Sequence, residues 1–159
     1  MTKFDKMFSF VHTKSSYGNG IFLKLTVMAA MVLRENFDKF DVHFRNETIS
    51  KICEYPSDEV VKIIRENFSN IPQQILYKAF LQLSEADDKS TRDNVMEILD
   101  IYDKSTCIDV GIKEEVLRKY VMKSSSDVDA KILKKFLERG IQNQELRQDI
   151  IHLIGYGKT

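Results

Sequence analysis

One pattern constrains this chain more than any other. A short polar residue is followed by apolar side chains three and four positions apart, then by a break, and the unit recurs along the last two-thirds of the sequence. Between Ser126 and Gly157 it occurs twice. Ile132, Leu133, Phe136 and Leu137 fall on one helical face, and Leu146, Ile150, Ile151 and Ile154 on another. That is the spacing of helices that each bury a single stripe. Ser126 or Asp127 opens the first helix and Asn143 the second, because short polar side chains accept from the unpaired N–H groups of a first turn. Gly140 and Gly155 follow the two helices, where a residue of positive φ closes a helix at little cost.

The same unit appears upstream. After Ser57 the stripe is Val60, Ile63, Ile64 and Phe68; after Pro72 it is Ile75, Leu76, Ala79, Phe80 and Leu83. Ser90 to Tyr102 carries Val95, Ile98, Leu99 and Tyr102, and Gly111 to Met122 carries Ile112, Val116, Leu117, Tyr120 and Val121. Helix starts therefore fall near 57, 72, 90, 111, 127 and 143. Most steps are about sixteen residues, so two helices form one unit of about 30–40 residues, the length of a helical solenoid repeat. A helix of about three turns cannot bury its stripe alone, whereas stacked pairs bury a continuous core.

Asn143 to Gly155 resembles a helix of a HEAT repeat: a polar start, Leu146 followed by Arg147, an aliphatic stripe and a closing glycine. Val128 to Arg139 resembles its partner helix, and Ser57 to Phe68 and Ser90 to Tyr102 follow the pattern more loosely. The resemblance covers roughly residues 57–157. It implies a right-handed stack of α-α pairs. The chain departs from it where Asp103 to Gly111 is longer than a usual repeat turn and where proline is missing after most polar starts. The fold expected is all-α, either a short HEAT-like helical array or an irregular helical bundle.

A chain of 159 residues makes one domain with a core of its own, here an N-terminal part, 1–56, and the repeats, 57–159. Lysine plus arginine and aspartate plus glutamate balance at 24 each, which predicts no bulk attraction to nucleic acid or to an anionic membrane. Cys53 and Cys107 have no metal-ligand spacing and read as reduced core thiols of a cytoplasmic protein, since no signal peptide is evident. The first twenty residues suggest a short helix over Phe4 to Val11 and a loop over Thr13 to Gly20. Ile21 to Phe37 is apolar nearly all round and reads as a buried central helix. Its uncharged run between Lys24 and Arg34 is far below the roughly twenty residues of a membrane span. Phe40 to Phe44 alternates and reads as an extended connection, followed by a short helix capped by Asn46 and ended at Tyr55-Pro56.

The residues offer little chemistry. His12, His43 and His152 lie apart with no carboxylate or histidine at ligand spacing, so no metal and no cofactor is expected. Neither a nucleophile elbow nor a catalytic cysteine surround is present, and Glu114-Glu115 and Asp87-Asp88 read as solvated faces or helix-end partners. What remains is surface. If the helices pair as 57/72, 90/111 and 127/143, the second of each pair presents a mildly basic ridge including Gln74, Lys113, Lys78, Arg118, Lys119, Arg147 and Gln148, with Lys78, Arg118, Lys119, Arg147 and Gln148 the candidate binding residues. Tyr77, Tyr120 and Tyr156 read as core edges rather than base-stacking platforms.

A non-enzymatic protein-binding module is expected: an adaptor, inhibitor, immunity protein or complex subunit, reached by analogy from the array. The alternative is a nucleic-acid-binding regulator that uses the ridge. The partner is another protein rather than a membrane, and residues 143–154 offer a face through which a homodimer would form.

Overall fold

The computed structural model describes residues 19–106 and 108–155. Among them the fold is all-α: eight α-helices and three 3-10 turns, with no strand. The helices are α1 (Asn19–Glu35), α2 (Val42–Ile52), α3 (Asp58–Asn67), α4 (Gln73–Leu83), α5 (Lys89–Thr106), α6 (Val110–Ser124), α7 (Ala130–Arg139) and α8 (Gln144–Ile154). The helix expected over Phe4 to Val11 and most of the loop before Gly20 lie outside the described residues, as do Cys107 and Tyr156. None of the described helices is long and apolar enough to cross a membrane. The chain divides into two compact units, one ending at Ala79 and one beginning at Phe80.

In the first unit α1 packs on α2 and α3. Ala29, Ala30 and Leu33 of α1 are buried, together with Ile49, Ile52, Val60, Ile63 and Ile64. The all-round burial expected of α1 is not found. Its small residues face the core, while Met28 and Met31 are 52% and 45% exposed. Arg34 flanks the packed side: its guanidinium pairs with Glu66 at 2.7 Å and Glu59 at 3.5 Å, both on α3. The stretch from Phe40 to Phe44 is not an extended connection. Asp41 accepts from the Phe44 amide and caps α2, so the helix starts at Val42 and Asn46 lies inside it. Phe40 and Phe44 are one turn apart and stack at 5.8 Å. Only the apolar alternation of these five residues suggests a strand, and the cap overrides it.

The second unit carries the stacked pattern. α5 packs on α6 and α7, and α8 packs on α7 and α6, so the expected pairings 90/111 and 127/143 are both made. Every stripe position named for α5 is buried, and so are Val116, Leu117, Tyr120 and Val121 of α6. Ile132, Leu133 and Phe136 of α7 meet Leu146 and Ile150 of α8 in the same core. α5 runs on to Thr106, so the long turn expected from Asp103 is largely helix.

Capping places the ends. Asp109 accepts from Ile112 N, and Asn143 from Leu146 N, while Asp88 accepts from Thr91 N at the start of α5. α7 departs from expectation: Ser125–Asp127 form a 3-10 turn and Asp129, not Ser126 or Asp127, caps the helix by accepting from Lys131 N and Ile132 N. Gly140 and Gly155 close α7 and α8 with φ of 105° and 67°, as their positions suggest.

Ser125 is the one non-glycine residue with positive φ among the described residues. At φ 53°, ψ −112° it occupies a turn conformation that glycine adopts freely and a side chain resists. Replacing it with glycine relieves strain worth about 1 kcal/mol, so Ser125→Gly is expected to unfold a few degrees higher in a thermal melt.

Candidate functional site

The start of α8 is held by a carboxylate from another helix. Glu114, buried in the first turn and a half of α6, accepts from Gln142 N at 2.6 Å and Asn143 N at 3.0 Å. Two amides that would otherwise lie unpaired before the helix are thereby satisfied. This clamp sets α8 beside α6. Along their contact lies a cleft of about 150 Å³, lined by Arg118, Val121 and Met122 of α6 and by Asn143, Glu145, Leu146 and Asp149 from the start of α8. The lining positions are one turn apart on each helix, as two facing ridges require.

The floor is apolar and buried, formed by Val121 and Leu146. Met122 stands at the lip and is 75% exposed, more than any other large apolar side chain described. The electrostatics are lopsided. Arg118 donates to Glu115 Oε2 at 2.8 Å, which spends its charge within the helix. Glu145 and Asp149 are exposed and no ion pair among the described residues engages them. The mouth thus sets one guanidinium, already paired with Glu115, against the two carboxylates of Glu145 and Asp149. An apolar floor able to take one side chain, under an acidic rim, suits recognition of an apolar anchor and nearby cations.

A second, more open depression of about 530 Å³ lies along α5 and the start of α7, lined by Lys89, Ser90, Asp93, Asn94, Glu97 and Asp129. Its acids are already used. Asp129 caps α7. Asp93 accepts from the Tyr120 hydroxyl at 2.6 Å and pairs with Lys89, whose ammonium it holds above its ordinary pKa through that hydrogen bond. The Tyr120 hydroxyl in turn accepts from Asp129 N at 2.8 Å. This is a joint among three helices rather than an open site.

The residues of the candidate basic ridge fall in both units. Lys78 is exposed on α4, in the first unit. In the second unit, Lys119 pairs with Glu85 at 3.4 Å and Lys113 with Asp103 at 3.4 Å, and Arg118 pairs with Glu115. Arg147 and Gln148 are exposed on α8 but do not line the cleft. Of the five candidate residues only Arg118 belongs to it. Met122, Glu145 and Asp149 were not singled out by sequence. Met122 is the apolar residue one turn after Arg118, off the main stripe, and that is the signal that marks it.

Other chemistry-bearing residues are accounted for by their surroundings. The Cys53 thiol is buried, and desolvation pushes its pKa up to about 12, so it stays protonated and unreactive near neutral pH. His43 does have a carboxylate one turn away, Glu47 at 3.4 Å, a pair hidden while Phe40 to Phe44 is read as extended; both side chains are largely exposed. His152 is exposed on α8. Tyr120 is core, and Tyr77 is half-buried beside Gln73, to which it is hydrogen-bonded. No cluster of potential metal ligands occurs among the described residues. No family model, curated protein or solved structure matches this chain.

Proposed function

We propose that this chain is a protein-binding module without an activity of its own, built on HEAT-like hairpins in its second unit, and that its partner seats in the cleft between α6 and α8. Support for the hairpin reading comes from the neighbour pattern: α5 against α7 and α6 against α8, beside the sequential pairs, is how stacked helical pairs bury their stripes. The observation that carries the binding reading is Met122, 75% exposed above a buried apolar floor. A flexible thioether at the lip of such a cleft adapts to an incoming side chain. The free, buried Cys53 thiol fits a reducing, cytoplasmic setting.

Pull-down from source lysate tests this, with wild type and Met122→Lys run side by side, each with and without nuclease. A protein retained by wild type through nuclease treatment and lost from Met122→Lys is the expected result. Recovery of nucleic acid, with proteins lost after nuclease, moves the function to a regulator acting through Lys119 and Arg147. A mass that rises with concentration in light scattering, and that Met122→Lys abolishes, makes the partner a second copy.

A further inference from the structure

Resting on that reading, we infer that the partner presents a basic amphipathic helix: one large apolar anchor for the Val121–Leu146 floor, with lysine or arginine one turn to either side. Each part follows from the cleft. About 150 Å³ holds one aliphatic or aromatic side chain and no more. Glu145 and Asp149 are four residues apart on one helix, as are Arg118 and Met122 on the other. A partner helix laid between these ridges meets them turn for turn, and its cations reach Glu145 and Asp149, exposed carboxylates that no ion pair among the described residues engages. An acidic segment or a phosphate backbone, which a basic ridge would favour, meets repulsion here instead. Arg118, the one cation lining the cleft, is already bound to Glu115, so it offers an anion little without breaking that pair.

Methionine methyl NMR reads the site directly. The chain has six methionines, and Met122→Leu identifies the signal of residue 122. Two synthetic helical peptides serve as probes, each with one apolar stripe, one carrying lysines on the flanks and the other glutamates at the same positions. The lysine peptide is expected to shift the Met122 methyl while leaving those of Met28 and Met31 in place, and to bind more weakly as salt rises. The pair Glu145→Gln and Asp149→Gln is expected to weaken it about tenfold, with the helical circular dichroism retained. Arg147→Gln, on the same helix but outside the cleft, leaves binding unchanged or tightens it.

The inference is overturned if the glutamate peptide shifts Met122 as strongly, if neither peptide shifts it, or if the double variant binds the lysine peptide as well as wild type. It is also overturned if dilution of the protein alone shifts Met122, which would place a second copy in the cleft. None of these outcomes disposes of the protein-binding reading, which stands or falls on the pull-down.

Discussion

Tyr120→Ala is expected to cost the second unit about 4 kcal/mol, the loss that accompanies deletion of a large buried aromatic side chain. The ring is completely buried, and its hydroxyl joins three helices by donating to Asp93 on α5 while accepting from Asp129 N at the start of α7. Tyr120→Phe separates the two contributions. It keeps the packing, strands one partly buried amide and removes one donor, and is expected to cost about 1–2 kcal/mol. Urea titration of both variants, followed by circular dichroism, measures the difference.

The pH dependence has a definite sign. Burial first, and then the bond to Asp93, raise the phenol's pKa above its ordinary value. The unfolded chain therefore ionises before the folded one. Tyr120's contribution is complete below pH about 10 and is withdrawn as pH climbs further. Tyr120→Phe is expected to lose that part of the alkaline sensitivity. Equal alkaline sensitivity in wild type and Tyr120→Phe would mean that the hydroxyl is not held as described.

The second large effect is expected at Arg139. Its guanidinium, on α7, is hydrogen-bonded to the Asp100 carboxylate, lies 3.3 Å from Asp103, and stacks 4.6 Å over the Phe136 ring. Asp100 and Asp103 are both buried on α5. Arg139→Met keeps the stem over Phe136 but leaves two buried carboxylates one turn apart, with Lys104 and Lys113 as their remaining partners. A loss of about 3 kcal/mol is expected.

Asp100→Asn is milder, because Arg139 keeps Asp103 and remains partly hydrated. Adding Asp100→Leu to Arg139→Met removes one stranded charge and is expected to recover part of the loss. A double variant less stable than Arg139→Met would show that the carboxylate, not the pair, holds α5.

The helices of the second unit were legible because their stripes are long and their breaks are marked. Val95 to Tyr102 and Val116 to Val121 lie where periodicity puts them, and Gly140 and Gly155 stop their helices. Ends defined by one of several polar residues were less legible. Ser124 to Asp129 offers five candidates for a cap within six residues, and only the 3-10 turn over Ser125–Asp127 moves the cap to Asp129. The partners of the ridge's cations were legible only in part. A cation's partner at three residues, as with Arg118 and Glu115, is visible in sequence, but Glu85, 34 residues from Lys119, is not. The cleft itself needs the α6–α8 adjacency, which depends on Glu114 reaching Gln142 and Asn143. In sequence, Glu114 is merely one of two consecutive glutamates.

The polar bonds that tie the second unit together share a short reach along the chain. Asp93 to Tyr120 spans 27 residues, Glu114 to Gln142 spans 28, Arg92 to Ser124 spans 32 and Asp100 to Arg139 spans 39. Closing loops of such similar length costs nearly the same entropy each time, so no single late contact gates the rest. During synthesis each helix meets its anchoring partner soon after it leaves the ribosome, and the apolar face of one hairpin waits only for the next few dozen residues before it is covered. The interval in which a nascent stripe is open to aggregation or to a chaperone is correspondingly brief.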